Sequence, residues 1–162
     1  MKTLLRTLLY LALIVWLGAE VFFPVIAAVT FTTLPDTHIA GSIVGQLLRT
    51  LHWMGLIAGL VVLLLLAIAP TWGIYKSRSV LVPMVLVVLM IGATAYSQFG
   101  IIPSMERDRV AAGGAIDTAD KSSPQTIHFN KLHRRSTLVE EIVLLLGVAT
   151  VVFIAHAETV RA

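Results

Sequence analysis

Residues 47–69 read LLRTLHWMGLIAGLVVLLLLAIA, with Arg49 and His52, the ionisable residues, both near the start. A helix needs roughly 20 mostly apolar residues to cross the hydrocarbon layer of a bilayer, and this stretch meets that length with nothing charged after its second turn. Three others match it: about Leu4 to Phe31, Val80 to Ile102 and Ser136 to Ala157. All are helix-length, whereas barrel strands are about half as long and alternate in polarity. The predicted fold class is therefore all-α, an integral membrane four-helix bundle, with residues 1–162 forming a single four-span transmembrane domain.

Composition agrees with this reading. Apolar residues make up 57% of the chain and charged ones 13%, proportions that a soluble domain does not carry. Twelve Lys and Arg against nine acids leave +3. The basic residues fall in pairs between apolar blocks and form no stripe, which argues against nucleic-acid binding. The chain has no cysteine, so disulfides, thiolate metal sites and cysteine nucleophiles are excluded, and any metal would need His, Asp, Glu or Met. No phosphate-cradling glycine loop, nucleophile elbow or metalloprotease His-Glu motif is present. The expectation is a protein that is not an enzyme.

Lys2 and Arg6 ahead of an apolar run resemble the start of a signal peptide, but the run outlasts the usual 7 to 15 residues, and Gly18, Ala19, Ala27 and Ala28 make poor cleavage sites. A retained first helix is expected. Four spans put both termini and the Pro70 to Ser79 loop on one side. Lys2, Arg6, Lys76 and Arg78 lie there in short segments, so the positive-inside rule predicts cytoplasmic termini, although Arg134 and Arg135 pull the other way. On the outer side, Thr32 to Gly45 is a short connection. About 103–129 reads as a long surface loop with an amphipathic turn or two. Ser123-Pro124 has the form of an N-cap with proline at the first helical position, which would start the last helix before it enters the membrane. Trp16, Trp53, Trp72 and Tyr75 include interfacial anchors, Trp72 and Tyr75 especially.

Polar residues within the spans are costly in lipid and usually face the bundle interior. Here they share one depth. Glu20 lies past the middle of the first helix, His52 one turn into the second, Thr94, Ser97 and Gln98 near the end of the third, and His133, Ser136 and Glu140 at the start of the fourth. The inner halves contain essentially no ionisable side chain. His52 shares a face with Gly55 and Gly59, a spacing that lets helices approach closely. Pro24 cannot donate to the Glu20 carbonyl, leaving a spare acceptor there. The candidate binding pocket is Glu20, His52, Gln98, His133, Ser136 and Glu140, with His52 and His133 as candidate metal ligands. Each has a plainer reading, either interhelical hydrogen bonding or a satisfied histidine. His38, His128 and His156 are assigned no role, and Arg134 with Glu141 and Glu106 with Arg109 read as solvated pairs or interface anchors.

The segment Trp16-Leu17-Gly18-Ala19-Glu20-Val21-Phe22-Phe23, together with Phe129 and Leu132-His133-Arg134-Arg135-Ser136, resembles the transmembrane-protein-205-like family. That resemblance implies a small four-span protein, with bacterial members carrying a domain of unknown function, and hence a bacterial inner (plasma) membrane location. By position, Trp16, Gly18, Phe22, Phe23, His133 and Ser136 are the family-type residues, and no catalytic assignment comes with them.

Three functions follow as expectations. The leading one is a non-enzymatic multi-pass protein that binds or passes a cation or small polar solute through the polar pocket. A second is a subunit that ligates haem or a metal through His52 and His133. The third is a structural or assembly subunit of a larger membrane complex, with the polar residues as glue. The cofactor is unknown. The expected partners are the bilayer and a homo-oligomer or larger complex, with no nucleic acid.

Overall fold

The computed structural model describes residues 1–116 and 118–159. The described residues form five α-helices and no strand: α1 (Lys2–Thr33), α2 (Thr37–Ile68), α3 (Leu81–Tyr96), α4 (Ile102–Ala111) and α5 (Pro124–Thr159), with a π-helical segment, Ser97–Ile101, joining α3 to α4 without a break. Four helices are long and apolar enough to cross a membrane: α1, α2, the continuous run Leu81–Ala111, and α5. In the order α1, α2, α3, α5, each packs on the next, and α5 also touches α1. The result is an integral membrane four-helix bundle. Its surface is the reverse of a soluble protein's, since Leu4, Ile14, Leu60, Leu64, Val85 and Leu145 are all exposed and face lipid.

Local chemistry sets the helix ends. Leu34 precedes a proline and takes the extended conformation, φ −90° and ψ 126°, which that position favours, and α1 stops there. Asp36 then caps α2, its carboxylate accepting from the His38 and Ile39 amides at 2.8 and 3.1 Å. The turn between α1 and α2 is only three residues long. Ser123 caps α5, accepting from the Thr126 amide at 3.2 Å, with Pro124 at the first helical position as its sequence implies.

Two boundaries correct the sequence reading. The second helix starts at Thr37, ten residues before 47, and the expected long loop at about 103–129 is mostly helical, because α4 runs to Ala111 and α5 begins at Pro124. Hydropathy marks where a helix lies in hydrocarbon, and says nothing of where it ends in water. Met105 to Val110 contains no Gly or Pro to interrupt it, and the helix ends at Gly113 and Gly114, which adopt φ of 85° and 92°. Of the two expected ion pairs, Glu106 and Arg109 do meet, at 3.4 Å. Arg134 and Glu141, seven residues apart on α5, do not pair.

Trp16 is the centre of the packing, not an interfacial anchor. It is fully buried. A Cβ on Gly55 would stand 2.6 Å from its indole nitrogen, and one on Gly59 would stand 2.7 Å from the ring's far edge. The small-residue face of α2 is thus the slot for this indole, which explains both glycines by close approach. Across the bundle, Gly147 on α5 leaves room for Leu17, with Met90 beside it. Leu9, Leu13, Val62, Leu66, Val87, Val143 and Ile154 fill the remaining core. Tyr75, also expected to be an anchor, is buried too. Its hydroxyl donates to Glu158 at 3.2 Å and Arg6 lies over its ring at 6.0 Å, tying the α2–α3 loop to α1 and α5 at the end that carries the termini. Trp72 is exposed as expected.

Two outcomes are expected. Gly55→Ala and Gly59→Ala should each destabilise the bundle by about 1–3 kcal/mol through overpacking against Trp16. Gly92→Ala, where the new methyl meets open space, should be neutral or slightly stabilising. Denaturant unfolding in a single detergent, followed by circular dichroism, measures all three. Burial, and then the Glu158 carboxylate, push the Tyr75 hydroxyl above the usual tyrosine range. Its folded value exceeds its unfolded one, so its contribution to stability is complete below about pH 10 and is lost as pH rises further. In a tyrosinate absorbance titration, Tyr75→Phe should remove the last tyrosine to ionise.

Candidate functional site

At the end of the bundle opposite the termini, four elements bring polar side chains into one buried cluster. His52 on α2 is fully buried and uses both ring nitrogens: Nδ1 lies 3.0 Å from Gln98 Oε1 and Nε2 lies 2.8 Å from Glu140 Oε1. The Ser97 hydroxyl donates to the same Glu140 oxygen at 3.2 Å. On α1, the Trp16 indole N–H donates to Glu20 Oε1 at 3.3 Å. Glu20 is buried and within coulombic reach of both His52 and Glu140. The second Glu140 oxygen and the Thr94 hydroxyl are buried with no hydrogen-bond partner among the described residues.

The local backbone aims these groups. Trp16 and Glu20 are one turn apart on α1, so a single face both fills the α2 slot and presents the carboxyl group. Ser97 and Gln98 open the π-helical segment, in which the Ile102 amide bonds to the Ser97 carbonyl. Pro103 follows directly. In an unbroken α-helix its ring would press on the Phe99 carbonyl, and the widened turn relieves that clash.

Gln98 gives the site a chemical property of its own. Its amide presents an oxygen on one side and an NH₂ on the other, with nearly equal shapes. With the oxygen toward Nδ1 and Glu140 ionised, the imidazole carries both protons and donates to Gln98 and Glu140. With the amide turned, Nδ1 accepts and the ring is neutral. His52 can therefore gain or lose a proton without stranding either nitrogen.

Above the cluster, toward the short α1–α2 turn, lies a cleft of about 590 Å³, lined by residues that include His38, Arg49, Ile102, Glu106, Arg109 and His133. Glu106 holds Arg49 at 3.9 Å and Arg109 at 3.4 Å. Arg109 also sits 5.9 Å from the Phe129 ring centroid, and Phe129 stacks on His133 at 6.5 Å. Arg49 is about one turn above His52 and Ile102 one turn above Gln98, so the cleft stands directly over the buried groups.

Of the residues proposed from sequence, Glu20, His52, Gln98 and Glu140 converge. Ser136 is buried one turn above Glu140 on the same face. His133 lies one turn higher still, exposed at the cleft and roughly 10 Å of helix rise from Glu140. His52 and His133, the proposed ligand pair, are thus in different settings, and any ligand on His52 would have to displace Gln98 or Glu140. Among the described residues, no three His, Cys, Asp or Glu side chains are arranged to hold a metal ion. Two members went unassigned in sequence. Trp16 is one turn from Glu20, a spacing that could have marked it as a donor. Ser97 adjoins Gln98, but its partner on another helix had no local signal.

The fold and cluster define a small multi-pass membrane protein with a polar cluster in one half of its helical bundle. Residues 11–112 match the model of a family defined by a domain of unknown function, DUF4149, and the chain belongs to that family. The match takes in Trp16, Glu20, His52, Ser97 and Gln98, whereas Glu140 lies outside it. No curated protein and no solved structure matches the chain.

Removing one partner of a buried pair costs about 3–5 kcal/mol, because the other is left uncompensated. His52→Leu and Glu140→Leu should each fall in that range. The double variant should cost clearly less than the sum of the two, as a double-mutant cycle of unfolding free energies in detergent would measure.

Proposed function

We propose that this protein is a non-enzymatic membrane protein whose buried cluster binds or passes a small cation or polar solute reaching it from the cleft. The observation that carries this reading is the free Glu140 oxygen, buried among two carboxyl groups and a single histidine. With both carboxylates ionised, one imidazolium cannot balance them, and an uncompensated charge at this depth is costly. A proton or a small metal cation that meets the free oxygen supplies the balance. The polar residues stop at this half, so passage to the other side would require the bundle to open along α1 and α5, whose mutual contact is slight compared with that of α1 and α2.

The resemblance to transmembrane-protein-205-like proteins, carried by Trp16 to Phe23 and by Leu132 to Ser136, supports a bacterial inner-membrane location. The Lys2, Arg6, Lys76 and Arg78 end supports cytoplasmic termini and therefore an outward-facing cleft. The exposed apolar faces contact lipid. Assembly into a homo-oligomer would draw on those same faces, where Gly18 and Phe22 stand.

Proteoliposomes containing a pH-sensitive or sodium-sensitive dye test the reading. Wild-type protein should carry proton or sodium flux above that of protein-free vesicles, and Glu140→Gln and Glu20→Gln should return it to the background. Flux that is absent in wild type, or equal in all three proteins, would make the cluster interhelical glue. Elemental analysis of the same preparations reads the haem or metal alternative, which needs stoichiometric metal lost in His52→Ala.

A further inference from the structure

On the outer side of α5, away from the cleft, Ile127, Asn130, Lys131, Arg134, Arg135 and Leu138 line an open groove of about 620 Å³. Their spacing, repeating at three and four residues, places them on one helical face. The three cations are exposed, and none has a carboxylate partner among the described residues. The contrast with the cleft is direct, because there Arg49 and Arg109 share Glu106. Glu141, the next acid along this face, is seven residues past Arg134, about 10 Å of rise deeper.

Depth identifies what meets these cations. Below them Leu138, Ile142 and Leu145 are exposed and apolar, with Glu141 the one exposed acid among them, so the basic rung stands at the outer edge of the apolar band, where headgroups begin. Guanidinium forks match phosphate oxygens in pairs, and the Asn130 amide adds a donor beside them. Leu138, at the deep end of the groove, suits a headgroup whose chains continue along the helix past Ile142 and Leu145.

We propose that this groove is a binding site for a phospholipid with net negative charge, its phosphate held by Lys131, Arg134 and Arg135. A second copy of the chain is a poor occupant, because the same stripe on each would set like charges together. The site is independent of the cluster inside the bundle.

Native mass spectrometry of the full chain in mild detergent tests this, with added dioleoyl phosphatidylglycerol or phosphatidylcholine as the probe lipid. Wild type should retain phosphatidylglycerol in preference to phosphatidylcholine. Lys131→Gln/Arg134→Gln/Arg135→Gln should bind phosphatidylglycerol about a hundredfold more weakly, and Arg135→Gln alone about fivefold. Arg134→Lys/Arg135→Lys, which keeps the charge but loses the forks, should bind more weakly than wild type yet keep the preference for phosphatidylglycerol. Undiminished binding by the triple variant, or equal retention of the two lipids by wild type, overturns the proposal. Displacement of the lipid by an equal concentration of inorganic phosphate would make the ligand free phosphate, and a protein-protein mass that vanishes in the triple variant would make the occupant a polypeptide; either result overturns it as well.

Discussion

The Trp16 indole couples the packing of this bundle to its charge. Its ring occupies the slot that Gly55 and Gly59 leave on α2, and its N–H is committed to Glu20. In hydrocarbon there is no hydrophobic drive between helices, so close packing and interhelical hydrogen bonds must hold them. Trp16 supplies the close packing here and, through a bond within its own helix, steers Glu20 toward the groups that bond between helices. Because the indole is pinned from two directions, the Glu20 carboxyl group is held on the side of α1 that faces His52. The buried cluster is thus a consequence of how α1 sits on α2.

The same economy separates the two ends of the molecule. Near the termini, Arg6, Tyr75 and Glu158 fasten the α2–α3 loop against the first and last helices, beside water. At the other end the polar groups go deeper and meet across helices, beneath a cleft whose own charges are cross-paired through Glu106. Between these layers the core is aliphatic. A charged species arriving through the cleft would therefore find partners as far as Glu140 and Glu20 and a dry barrier beyond.

Crossing segments were legible in sequence because hydrocarbon imposes a length, and all four apolar runs coincide with helices to within a residue at Ala69 and Val80. The helix ends were less so. Residues 37–46 and 103–111 are helical beyond the apolar runs, where hydropathy carries no signal. The cluster was legible where depth alone decided it, for Glu20, His52, Gln98 and Glu140. Depth failed for His133, which shares the face of Glu140 but stands two turns above it, stacked on Phe129 at the cleft. It also missed Trp16, because an aromatic side chain near a membrane reads as an anchor until the glycine slot opposite it is seen.

The π-helical segment at Ser97–Ile101 carries one more residue per turn than the helix on either side. That surplus residue sets the rotational phase between the rung bearing Ser97 and Gln98 and the rung bearing Glu106 and Arg109, by about 100°. The two rungs serve different layers, the buried cluster and the mouth of the cleft. A chain that gained or lost a single residue here would keep its helices, its span lengths and its hydropathy profile, yet would turn the mouth away from the interior it covers. An insertion or deletion at Phe99 or Gly100 can therefore retune access without touching any residue inside.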